Sequence, residues 1–307
     1  MDRPYEWEFH LVTWVTLIIA VTVVVFGHRR LVRTSDHPSR WTRHEIALFA
    51  GACCATLIAL TWPVADLAAH WSLTALVVQR LILILAVAPL LLLGLPYDVL
   101  ERITRPALVD AALNRCRRPA TAIGLVTFLI VGSMVPPVVE AQASSPALRG
   151  LFAVTTLVAG LVLWIPVLGR VPGIPRLRPL ARFGYLAAQA VVPAFLAFAL
   201  ILAPHPLYAA FAGSKAAVDL RPLNDQQIAG FVSKLTMLIV LLTVGGFGLA
   251  KSKPSDDEVS LGEPLVWADV QRQFERVDRM TSGRKYGPDQ PMQPDEEQIP
   301  KGEAPNP

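Results

Sequence analysis

The stretch Ala75–Leu95, ALVVQRLILILAVAPLLLLGL, decides the class of this chain. At ~1.5 Å of helical rise per residue it is long enough to cross a hydrocarbon core of ~30 Å. Arg80 is its single ionisable residue. Six further apolar stretches read the same way, at Phe9–Gly27, Ile46–Asp66, Ala120–Val139, Leu148–Leu168, Gly184–Ala203 and Ile228–Ala250. Their spacing predicts an all-α fold, a polytopic membrane helix bundle of seven transmembrane helices.

Charge placement orients that bundle. The first gap holds Arg29, Arg30, Arg33, Arg40 and Arg43; the third holds Arg102, Arg105, Arg115, Arg117 and Arg118; the fifth holds Arg170, Arg176, Arg178 and Arg182. The alternate gaps carry far fewer cations, with Lys215 and Arg221 before the last span. Cytoplasmic loops retain such excess Lys and Arg, so the N-terminus is expected outside and the C-terminus inside. The expected location is the bacterial plasma (inner) membrane, multi-pass.

With 53% hydrophobic residues and a mean hydropathy of +0.46, the chain is too apolar for a soluble domain. The net charge of +4 is read as this topological signal and not as affinity for nucleic acid. Asp2, Glu6 and Glu8 outweigh Arg3 ahead of the first span, so no cleavable leader is expected. Cys53, Cys54 and Cys116 all fall outside the outer connections, which argues against a disulfide framework. The membrane domain is expected to occupy 1–253 and a cytoplasmic tail 254–307. Within the tail, Trp267, Val270, Phe274 and Val277 recur at helical spacing, predicting an amphipathic helix over 264–280. Residues 281–307 are polar enough to be disordered. Short interfacial helices are expected over Tyr97–Arg102 and on past Pro106 to Leu113, and an extended basic segment over Gly169–Phe183.

Ionisable groups inside spans are costly, about 2.5–3.5 kcal/mol at a span centre on insertion scales, and so mark places to look for function. Arg80 and Lys234 each lie about two turns below the outer boundary, and Arg149 opens the fifth span at the same level. Each long side chain can snorkel to the headgroups alone. Alternatively, the three share a polar pocket with Asp66, Glu140 and Asp225 as counter-charges, and Arg80 is expected within hydrogen-bonding reach of a carboxylate or of helix-end carbonyls from another span. His70 and His205, both in outer connections, with Met134 nearby, are weak candidates for a metal site. Cys53 and Cys54 point ~100° apart on one helix and are read as packing. No phosphate loop, dinucleotide fingerprint, nucleophile elbow or zinc-protease motif is present, and no enzyme is expected.

Three stretches narrow the reading. Span three carries Val78-Gln79-Arg80-Leu81 and then Ala88-Pro89, with Gly94-Leu95-Pro96 after four leucines. Span five ends in Trp164-Ile165-Pro166, and the last span is introduced by Asp225-Gln226-Gln227-Ile228-Ala229-Gly230, after Tyr208. Over roughly Glu45–Ala250 this resembles the multi-span CtaG-like family of cytochrome c oxidase assembly factors. The resemblance implies a role in assembling the haem-copper oxidase, oxidase subunits or a copper carrier as partners beside the lipid bilayer, and copper as the associated metal. It also exposes departures. The family's His-Met-x-Gln-His run corresponds to Leu76-Val77-Val78-Gln79-Arg80, its Trp-His-x-Pro to Ser133-Met134-Val135-Pro136, and its Met-Trp pair to Ser233-Lys234. Fixed side-chain charges then stand where the family would gather imidazoles, preserving a scaffold without its metal. A membrane transporter or channel using the Arg80/Lys234 layer is the alternative reading, with a lipid-modifying enzyme behind it.

Overall fold

The computed structural model describes residues 10–34, 41–191, 194–212 and 221–252. The chain divides into two compact units, 1–257 and 258–307. The expected amphipathic helix 264–280 and the tail beyond it lie outside the described residues. Among the described residues every regular element is helical.

Helix α1 runs Leu11–Thr34 and α2 Arg43–Leu60. A short α3, Val64–Asp66, passes through a π-helical turn, Leu67–Trp71, into α4, Leu73–Ile82. A second π turn, Leu83–Val87, joins α4 to α5, Ala88–Gly94, so 73–94 is one continuous span. Two short helices follow, α6 Tyr97–Thr104 and α7 Ala107–Cys116, then α8 Pro119–Ser133 and α9 Pro136–Ser144. The chain continues with α10 Pro146–Leu168, α11 Pro179–Val191, α12 Ala194–Leu202, the short α13 Ala209–Ala212, and α14 Pro222–Ala250. Six helical segments are long and apolar enough to cross a membrane, or seven if the bent pair α8–α9 is one span.

The boundaries differ from the apolar stretches for local reasons. Helices α8, α9, α10, α11 and α14 each begin on a proline, whose fixed φ and missing N–H suit the first turn. Polar first turns are invisible to hydropathy, so α11 and α14 begin well before the expected Gly184 and Ile228. Helix α2 begins early through a capping box in which Thr42 and Glu45 satisfy each other's backbone N–H. It stops at Leu60 and not at Asp66, shortly before Pro63.

The fourth stretch is the main correction. The expected straight helix Ala120–Val139 is broken at Met134 and bends by 60°. Pro136 forces Val135 into an extended conformation (φ −62°, ψ 135°), which no helix accommodates. At its far end α10 closes on Gly169 in the left-handed region (φ 61°), beside Arg176.

The span 73–94 sits at the centre, against α2 and α10 along its second half and α14 along its first. Glycines set the crossings. An ideal Cβ on Gly94 would lie 2.5 Å from Phe49 N on α2, and one on Gly160 would lie 2.9 Å from Ile84 Cα. One on Gly230 would lie 2.8 Å from Ala197 O. Small residues at these points let backbones approach where lipid offers no hydrophobic drive to associate.

Candidate functional site

Helices that stop inside a bilayer leave carbonyls that water cannot satisfy. Helices α2, α8 and α12 end at one end of the bundle, where α4 and α14 begin. Side chains from other helices meet each of these ends. Gln79 Nε2 donates to Ala59 O at the close of α2 (2.8 Å). Gln226 Nε2 reaches Leu200 O (3.1 Å) and Gln227 Nε2 reaches Ile201 O (3.3 Å), both closing α12. Gln226 Oε1 also accepts from Leu207 N at 2.7 Å. The Tyr208 hydroxyl donates to Met134 O, the break after α8 (2.8 Å). Burial pushes the Tyr208 phenol up to about 12, against the pull of the neighbouring Arg80 charge, so it stays protonated and a donor.

Arg80 is the centre of this layer. It is buried, at 8% exposure, and does not snorkel. Nη1 donates to Ser133 Oγ (3.0 Å); Nη2 donates to Ser133 O (3.2 Å) and to Gln142 Oε1 (2.9 Å). The proline-induced break provides both partners, ending α8 at Ser133 and turning α9 so that Gln142 returns over it. Gln142 Nε2 in turn donates to Ser133 O at 3.1 Å. Arg149 Nη1 bonds Gln142 O (3.3 Å) and Ala143 O (3.0 Å), so the two arginines flank one glutamine.

None of the expected counter-charges bonds Arg80, whose hydrogen bonds go to Ser133 and Gln142. Asp225 is a helix cap. Its carboxylate accepts from Ser72 Oγ (2.9 Å) and from the backbone N–H groups of Leu73 (2.6 Å) and Thr74 (3.4 Å) at the start of α4. Thr74 Oγ1 returns a bond to Asp225 O (2.9 Å). The Asp-Gln-Gln run thus ties α14 to the beginning of one span and the end of another. Asp66 lies 2.9 Å from His10 Nε2, and Glu140 is exposed. Lys234 is also outside the Arg80 group. Its ammonium stands 5.7 Å from the centroid of Phe198 on α12, a cation–π distance.

The remaining motif residues hold the bundle. Pro89 has no N–H to continue the π turn's bonding onto Ile84 O, and the Trp164 indole N–H takes that carbonyl at 2.8 Å. Gly160 lies one turn earlier on the same helix against Ile84. Pro96 holds Leu95 extended between α5 and α6, and the Trp41 indole caps Gly94 O (2.9 Å).

A cavity of about 1290 Å³ opens beside this layer, between α1 and the α2–α4–α10 face. His10, Asp66, Gln79, Arg80, Gln142 and Arg149 line its polar end; the rest is mostly apolar. The side chains at the positions matching the family's histidines do not suit copper. A guanidinium has no lone pair to offer, Leu76 is apolar, and the buried Met134 leaves one thioether. Among the described residues no three His, Cys, Asp or Glu side chains gather. His205 is exposed, and the side chain of His70 lies outside the described residues.

Sequence reasoning missed Ser133 and Gln142 as partners and His10 as the neighbour of Asp66. Pro136-Pro137 after Ser133 was the available signal, because a helix stopped within a bilayer must have its last carbonyls met. Among comparisons with known proteins, a family model described as cytochrome c oxidase caa3 assembly factor (Caa3_CtaG) matches residues 23–250. No curated protein and no solved structure matches the chain.

Proposed function

The chain belongs to the cytochrome c oxidase caa3 assembly factor family, and on that premise we propose a non-enzymatic scaffold that carries no metal at its polar layer. It holds an oxidase subunit or a copper carrier at the end of the bundle where the caps gather. That end faces outward in the bacterial plasma membrane, as the arginine distribution favours.

One observation carries this reading. Arg80 stands where the resemblance puts a histidine, and it is locked by Ser133 and Gln142, both neutral acceptors. A permanent cation there repels a metal ion and cannot ligate one. The layer keeps its geometry by hydrogen bonds, so the scaffold does not depend on a metal to organise it. A transporter would need polar groups continuing through the membrane, whereas among the described residues the cavity lining below Arg80 carries no charged side chain.

Deleting the protein is expected to lower oxidase activity and the haem-copper content of the membranes, and tagged protein is expected to co-purify with oxidase subunits. Elemental analysis of the purified chain should give far less than one copper per molecule. Arg80→His should not raise that value, because Leu76 and Met134 still withhold further imidazoles. Unchanged oxidase in the deletion strain would refute the assembly role. Stoichiometric copper in the wild-type protein would refute the metal-free scaffold.

A further inference from the structure

We infer that the cavity between α1 and the α2–α4–α10 face is a binding site for an anionic phospholipid. Its phosphate sits at Arg80 and Arg149, and an acyl chain runs down beside α1.

Charge argues for an anion. Among the described residues, the charged side chains lining the cavity are Arg80, Arg149, Asp66 and the titratable His10. Two cations against one carboxylate leave a net positive end even with His10 neutral. Among the described residues no carboxylate lies within ion-pair reach of Arg80, and its three hydrogen bonds go to neutral atoms. An arginine carries five N–H donors in a rigid fork, so two are left for a ligand. A buried cation lacking a counter-ion is strongly disfavoured unless an anion is supplied, and phosphate oxygens fit that fork.

Shape argues for a lipid. The cavity of about 1290 Å³ exceeds the roughly 300–1,000 Å³ of ordinary small-molecule pockets. Along α1 its lining runs from His10 to Val24, ~21 Å at ~1.5 Å per residue. That is more than half of a ~30 Å hydrocarbon core. Charged groups cluster at one end only, and the Thr56 and Thr156 hydroxyls further along are bonded to carbonyls of their own helices. Below the charged end the walls are side chains such as Leu17, Val21, Val24, Leu83, Leu91 and Leu157. A headgroup at one boundary with an apolar chain beneath it is the amphiphile such a gradient fits. Near the site Thr13 Oγ1 of α1 donates to Leu60 O (3.3 Å), and much of that helix faces outward, with Val12 79% and Val23 65% exposed, which leaves a chain room to enter sideways from the bilayer.

The test uses the full chain purified in a neutral detergent. Phosphatidylglycerol added to the micelles is expected to raise the melting temperature by ~5 °C, and phosphatidylcholine or inorganic phosphate to do far less. Native mass spectrometry should show phosphatidylglycerol retained on the protein. Arg80→Gln, which keeps an amide donor but removes the charge, should weaken that binding at least ~10-fold. Ala20→Trp should block it as well. It fills the cavity from an exposed position on α1, away from the Arg80 bonds, so it reads the site even if Arg80→Gln folds poorly. Equal stabilisation by the anionic and zwitterionic lipids would overturn the proposal. So would retention undiminished in Ala20→Trp, or protection by phosphate alone.

Discussion

Helices α1 and α10 are nearly equal in length, 24 and 23 residues, and both are apolar enough to span a membrane. They are treated differently by the fold. On α1, Val12 is 79% exposed and Val23 and Phe26 are each 65% exposed, whereas on α10 Leu163 is 0% and Trp164 3% exposed. Apolarity does not distinguish them, because lipid solvates Leu and Val as well as a protein interior does. What separates them is surface relief and hydrogen bonding. Helix α10 has Gly160 seated against Ile84 and an indole bonded to the Ile84 carbonyl. The glycine of α1, Gly27, has nothing within 4 Å of an added Cβ. Membrane burial is therefore earned by small residues and unmet carbonyls, and hydropathy only selects the candidates.

The sharpest way to break this contrast is to add the same side chain to both helices. Gly160→Leu forces backbone apart at Ile84 and Ala88 and is expected to destabilise the protein by at least ~3 kcal/mol, close to loss of the folded form. Gly27→Leu meets open space and should stay within ~0.5 kcal/mol of wild type. Thermal unfolding in one detergent measures both, and equal shifts would show that α1 packs as tightly as α10.

A somewhat smaller effect is expected from Asp225→Ala. It strands the N–H groups that open α4 and should cost about 2 kcal/mol, with hydrogen exchange rising at Leu73 and Thr74. Exchange unchanged there would mean that Ser72 suffices as the cap. Trp164→Phe keeps most of the packing and removes the donor to Ile84 O, for an expected loss of about 1 kcal/mol. A loss of several kcal/mol would instead assign the role of Trp164 to shape. The smallest effect belongs to α1. Thr13→Val removes its bond to Leu60 O and should change stability by less than ~0.5 kcal/mol.

The predicted class was readable because it depends on composition in order along the chain. The third and fifth stretches lie where they were expected to within a turn. The importance of the Asp225-Gln226-Gln227 run was also legible as an unusual polar cluster introducing an apolar span. Its use was not. That Asp225 caps α4 while the glutamines close α12 depends on which helix ends meet in space. The same holds for Lys234, which looked equivalent to Arg80 by depth but turns to Phe198.

By itself the sequence determined that this chain is a bundle of apolar helices and, for the third and fifth, where they run to within a turn. Those properties follow from transfer free energy and local backbone sterics, which neighbouring residues set. Only the tertiary structure decided that Arg80 is held by Ser133 and Gln142 and, among the described residues, by no carboxylate, and that a long cavity with one charged end lies beside it. A buried donor takes whichever acceptors the folded chain brings within ~3 Å. Here the acceptors come from a helix broken at Met134 and turned back on itself. Their pairing with Arg80 exists only once those helices have packed.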